Sequence, residues 1–254
     1  MKPAVFSFVP FRTTPALLTL LVLTMNMFAC SRSYADPAAI EKLKAAPQPG
    51  EAVQAEGVEV LNDAGDAVAV FAGGCFWCTE HVYEQIKGVT SVVSGYAGGS
   101  DSDANYQLVS AGATEHAEAI KITYDPAVLS YGDLLRIFFT VAHNPTELNR
   151  QGPDVGKQYR SAVFYLNDAQ KLATQAYIDQ LTEAGTWADP IVTTLEPLPT
   201  MEKFHVAEKY HQDYVQLNPG NPYVVFNALP KVDKLEKALP EYLEEPSGSG
   251  ESAQ

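Results

Sequence analysis

The chain holds three cysteines, at positions 30, 75 and 78. The last two close a tight run, Gly73-Gly74-Cys75-Phe76-Trp77-Cys78. A thiolate can act as nucleophile, metal ligand or redox partner, so the surroundings of such a pair decide its chemistry. Ala67–Gly73 is a short apolar run with the character of a strand, and Phe76, Val82, Tyr83 and Ile86 then recur at helical spacing up to a stop at Gly88. Cys75 therefore stands where a strand turns into a helix. Unpaired backbone N–H groups and the positive end of the helix dipole favour a thiolate there. Cys78 falls one turn later on the same face. Residues so spaced lie roughly 5–6 Å apart at Cβ, so modest distortion brings their sulfurs within disulfide range.

Two blander readings compete with a redox pair. Free cysteines often serve as small buried hydrophobes, but a Gly-Gly entry and a helix start favour chemistry. A zinc site needs four ligands, and His205 and His211, six residues apart, do not share a helix face. Phe76 and Trp77 suit either a helix core or a pocket for a small apolar group.

Further elements must position these residues. Strands are expected at 89–97, running into a glycine-rich loop, and at 117–125, 161–167 and 190–198. Helices are expected at 129–143, where Ser130 and Asp133 have capping-box spacing, and at 168–185 and 204–219, the last ended by Pro219. Residues 144–160 are loop-like. Strands and helices alternate irregularly, which predicts an α+β fold with one catalytic domain at 65–230. Residues 36–64, rich in Ala, Pro, Gly and Glu, are expected to form a linker or loosely packed N-terminal arm. Residues 231–254 are expected to form a peripheral helix and a disordered tail.

With 254 residues and 46% hydrophobic content, the chain can bury one sizeable core. A net charge of −14 excludes phosphate-backbone binding as the main task, so no nucleic acid partner is expected. Lys2 and Arg12 precede the short apolar run Ala16–Ala29, and Ser33-Tyr34-Ala35 has the small residues of a signal-peptidase site. Residues 1–35 are thus expected to be a signal peptide, and the protein to be exported, in a bacterial setting to the periplasm. Lipidation at Cys30, or an uncleaved N-terminal anchor, is the alternative and the one route to a membrane. Residues 1–35 carry Lys2, Arg12 and Arg32 and no acid, so their removal leaves a net charge of −17.

Gly74–Glu80 resembles the GCFWxxE signature of the peptide methionine sulfoxide reductase A family. The resemblance continues through Ser94–Gly99, Asn105–Pro126, Ala142–Ser161 and Ala207–Tyr214, in the family's order. It implies a two-layer α/β sandwich with a mixed sheet and a ferredoxin-like core. It also implies that Cys75 attacks the sulfur of methionine S-sulfoxide, free or in proteins, while Glu118 donates a proton to the oxygen. Tyr106 and Tyr159 match residues that hydrogen-bond that oxygen, Asp154 belongs to the same polar cluster, and Phe76 and Trp77 receive the methyl group. No metal or organic cofactor is implied, and electrons arrive from a thioredoxin-like dithiol donor acting on a monomer.

Attack leaves a sulfenic acid on Cys75. Many relatives resolve it with a cysteine near the C-terminus, and this chain has none after residue 78. Cys78 is the internal candidate, which predicts a Cys75–Cys78 disulfide as the recycling intermediate. Two further departures are Asn144, where relatives often carry Asp, and Glu115 before His116, a second carboxylate that would raise the pKa of Glu118 if close in space. Two rival readings are a general thiol–disulfide oxidoreductase built on the CxxC pair and a silent module that binds oxidised methionine.

Overall fold

The computed structural model describes residues 36–244, so the expected signal peptide, Cys30 and the tail from residue 245 onward lie outside the described residues. A six-stranded sheet forms the centre. Its strands are β1 (Ala67–Gly73), β2 (Val89–Ala97), β3 (Ala117–Tyr124), β6 (Ser161–Tyr165), β7 (Thr194–Pro197) and β8 (His205–Val206), in the order β7-β6-β1-β3-β2-β8. Neighbours are antiparallel except β6 and β7, which run parallel, so the sheet is mixed. A two-residue hairpin, β4 (Arg150–Gln151) and β5 (Asp154–Val155), stands apart inside the predicted loop.

Strand β1 is buried along its whole length, and the pleat divides it between two cores. Ala67, Ala69 and Phe71 face the helices with Val82, Tyr83, Leu134, Phe138 and Tyr177. Val70 and Ala72 face the opposite side, with small residues of β3 and β6 and with Leu198 and Phe204 from the C-terminal segment. The helix layer holds α1 (Pro37–Lys44), α2 (Phe76–Tyr83), α4 (Tyr131–Ile137), α5 (Asp168–Glu183) and α7 (Leu229–Ala238), while a short α3 (Tyr106–Ser110) sits at the site. This is the two-layer sandwich expected. Ser130 and Asp133 form the capping box of α4, each satisfying the other's free N–H, and a π-helical turn at Phe138–Ala142 continues that helix.

Three expectations are corrected. Residues 36–64 form no loose linker: α1 buries Ile40 and Leu43, and Val53 and Val58 are buried beyond it. The C-terminal helix is not peripheral, because Leu235 and Ala238 lie in the main core and α7 packs on α1 and α2. The helix expected at 204–219 breaks into β8, a 3-10 turn at Lys209–His211 and α6 (Tyr214–Leu217). Pairing of His205 and Val206 with β2 and a left-handed Asp213 at φ 54° stop a continuous helix.

Candidate active site

Two glycines set the turn that presents Cys75. Gly74 holds φ +90°, and a Cβ there would come 2.5 Å from the Gln151 side chain. A Cβ on Gly73 would press on Phe138 and Thr79 at 3.1 Å. Cys75 is the N-cap of α2, and its carbonyl accepts from Cys78 N–H at 3.1 Å. Both thiols are free and buried, Cys75 at 7% and Cys78 at 2% exposure.

The first N–H of α2, that of Phe76, donates to Glu118 Oε2 at 3.0 Å. Glu118 sits early in β3 and is buried. Burial raises its carboxyl to about 8; the Phe76 bond opposes the rise, and Asp154 and Cys78 add to it. Glu118 is therefore an acid at neutral pH. With Oε2 taken by the N–H, Oε1 is left to carry the proton.

Burial opposes the helix-end effect expected to favour a thiolate at Cys75. Burial pushes the Cys75 thiol well up, and Cys78 and Glu118 push it further. Cys78 is drawn down to about 7, first by the hydrogen bond with Cys75 against the effect of burial, then by Lys231 and Tyr223. The physical reason is burial of Cys75 away from water, together with a hydrogen bond between the two thiols that keeps the proton on Cys75 and favours the charged form of Cys78.

An aromatic box closes over the pair. The Trp77 indole stacks on Tyr214 with centroids 3.8 Å apart and planes 8° apart, and meets Tyr223 edge-on at 5.9 Å. Its Nε1–H donates to His211 Nδ1 at 3.1 Å, which fixes the His211 proton on Nε2. Phe76 is buried against Tyr96 and His211 at 5.9 and 5.1 Å. Tyr106 packs on His211 at 4.2 Å, and its backbone N–H donates to Glu208, which also accepts from Tyr96 Oη at 2.7 Å. Burial raises the phenol of Tyr106 to about 12, with Glu118 and Cys75 adding to it. Tyr159 is raised by burial, Glu118, Asp154 and Cys75. Both remain donors at neutral pH. Asp154, raised by burial, accepts from Tyr223 Oη at 2.5 Å, and the Cys78 thiol donates to that same oxygen at 3.8 Å.

A family model described as peptide methionine sulfoxide reductase matches residues 67–242. The chain belongs to the peptide methionine sulfoxide reductase family. The relative from Mesorhizobium japonicum, peptide methionine sulfoxide reductase MsrA 2, is 53% identical over 183 residues, covering 72% of this chain and 92% of its own. A Synechocystis relative of the same description is 52% identical over 170 residues, covering 67% and 78%. Among solved structures, reduced Mxr1 of Saccharomyces cerevisiae has a TM-score of 0.58 at 34% identity, covering 64% of this chain and 91% of that one. Methionine sulfoxide reductase A of Corynebacterium diphtheriae has a TM-score of 0.54 at 28% identity, covering 68% and 82%.

Within this reductase fold, Cys75, Cys78, Phe76, Trp77, Tyr106, Glu118, Asp154 and Tyr159 converge from α2, α3, β3, β5 and the 3-10 turn at Lys157–Tyr159. Glu115 does not join them: it is exposed and pairs with Lys157 at the surface. Asn144 caps its own loop, its Oδ1 accepting from Thr146 N–H and Oγ at 3.1 and 2.8 Å. Sequence reasoning missed His211, Tyr214, Tyr223 and Glu208 as parts of the site. The run Lys209–Tyr214, with two tyrosines around His211, was the available signal. Tyr223 had none, because it lies in a Pro- and Asn-rich stretch that reads as a connection.

Proposed function

We propose that the chain is an exported reductase of methionine S-sulfoxide, free or in proteins, that repairs oxidised methionine. The observation that carries this reading is Glu118, a buried acid holding its proton to about 8, hydrogen-bonded at the start of the helix that bears Cys75. Cys75 attacks the sulfoxide sulfur, and as the new S–S bond forms its thiol proton passes to the hydrogen-bonded Cys78 thiolate. Glu118 protonates the oxygen, whose departure as bare oxide would be prohibitive. Tyr106 and Tyr159 donate to that oxygen, and the Trp77 face, braced by Tyr214, receives the methyl group.

Oxygen transfer yields methionine and a Cys75 sulfenic acid. Cys78 then condenses with it, and a thioredoxin-like dithiol donor reduces the resulting disulfide. Export rests on the basic and apolar N-terminus and the Ser33–Ala35 site.

An epimer-resolved assay with a dithiol protein donor tests the reading, with turnover of the S epimer expected. Reduction of the R epimer alone, or of neither, sinks it. Cys78→Ser is expected to yield one methionine per Cys75 in the absence of reductant and no internal disulfide by peptide mapping. Multiple turnover of that variant with the dithiol protein donor at the wild-type rate removes Cys78 from the cycle.

A further inference from the structure

We propose that Tyr223 and Asp154 form a proton relay that deprotonates Cys78 for disulfide closure, a role that rests on Cys78 being the resolving thiol. The geometry is a chain of three groups from three elements. The Cys78 thiol on α2 donates to Tyr223 Oη at 3.8 Å, and Tyr223, just before the π-helical turn Val224–Ala228, donates to Asp154 Oδ2 of β5 at 2.5 Å. Sulfur hydrogen bonds are long by nature, so the first distance is a working contact. Tyr223 thus bridges the buried thiol and a carboxylate.

The chemistry requires such an exit. After oxygen transfer Cys78 carries the proton it took from Cys75 and must lose it again before it can attack. Water has little access, because Cys78 lies in an apolar cluster with Val215, Val224 and Ala228. In the relay the Cys78 S–H bond breaks, its proton moves to Tyr223 Oη, and the Tyr223 proton moves to Asp154. Cys78 sulfur then bonds to Cys75 sulfur and the Cys75 S–O bond breaks. The hydroxide takes up the proton from Asp154 and leaves as water, so thiol and sulfenic acid become disulfide and water.

The charged and titratable groups around Cys78 are Cys75, Glu118, Asp154, Tyr223 and Lys231. Lys231 of α7 stabilises the thiolate but carries no acceptor for a proton. Burial raises Asp154, which suits it to hold the proton in transit. Protonated Asp154 can then donate back to Tyr223 Oη, leaving the Tyr223 hydroxyl to hydrogen-bond the thiolate.

The test uses the full mature protein, fully reduced, mixed with one equivalent of N-acetyl-methionine S-sulfoxide and no donor. Methionine formation reports oxygen transfer. Loss of dimedone-reactive sulfenic acid, with peptide mapping, reports disulfide closure. In Tyr223→Phe the ratio of the closure rate to the transfer rate is expected to fall at least about tenfold, and alkylation of Cys78 in the reduced protein to shift to higher pH. Asp154→Asn cuts the other end of the relay and should lower the same ratio. The double variant should close no more slowly than the slower single one. An unchanged ratio in both single variants, or additive losses in the double variant, overturns the relay. If the wild type forms no Cys75–Cys78 disulfide, the recycling reading itself has failed, an outcome distinct from a wild type and variants that all close equally well.

Discussion

Glu118 and Cys75 impose opposite demands on one small volume. In the proposed reaction Glu118 must stay protonated, and Cys75 must give up a proton to attack. Burial raises both groups, which keeps the acid armed and leaves the nucleophile neutral until Cys78 accepts its proton. Only the acid form of Glu118 can protonate the sulfoxide oxygen, and that form is lost as pH rises through about 8. The single-turnover rate of methionine formation is therefore expected to fall by up to about tenfold per pH unit above that value. Stopped-flow measurement between neutral and alkaline pH checks this, and a rate that climbs through the interval would show that the proton comes from elsewhere. Glu118→Gln keeps the acceptor for Phe76 N–H but removes the acid, and should slow methionine formation by about 10²–10⁴-fold.

Among the elements, the turn from β1 into α2 carries the site. Its geometry depends on Gly74 at φ +90° with the Gln151 side chain lying against its Cα. Gln151 is in turn held to the loop at residue 144, accepting from Asn144 N–H at 3.0 Å and donating to the Asn144 carbonyl at 3.1 Å. A side chain at position 74 is strained by its φ and also collides with that brace. Gly74→Ala should therefore cost roughly 1–3 kcal/mol and lower methionine formation along with stability. Urea unfolding and single-turnover assay on the same sample check both, and wild-type values in each would show that the turn tolerates a Cβ.

For the whole molecule, the ends of the described chain matter more than their composition suggests. Helix α1 packs on α7, and α7 brings Lys231 to Cys78. The arm at residues 36–64 thus buttresses the helix whose Lys231 acts on Cys78. Leu43→Ala removes a side chain buried on α1 and is expected to destabilise the protein by about 2–4 kcal/mol. Urea denaturation measures it; a loss below about 0.5 kcal/mol would show that the arm is dispensable.

The sequence alone determined the elements whose signals are local. The apolar run of β1, the capping box of α4 and the amphipathic α5 follow from side-chain periodicity and short-range hydrogen bonds. The resemblance carried by the ordered motifs also implied that Cys75 and Glu118 act together. Only tertiary structure decided that Cys78, and not Cys75, is the more acidic thiol. That outcome depends on burial, on the hydrogen bond between the two thiols and on the charge of Lys231, 153 positions from Cys78 in the chain. The same holds for Tyr223, which meets Cys78 across 145 positions and Asp154 across 69. Electrostatics and proton paths depend on distance in space, and residues far apart in a chain leave no local pattern from which that distance can be read.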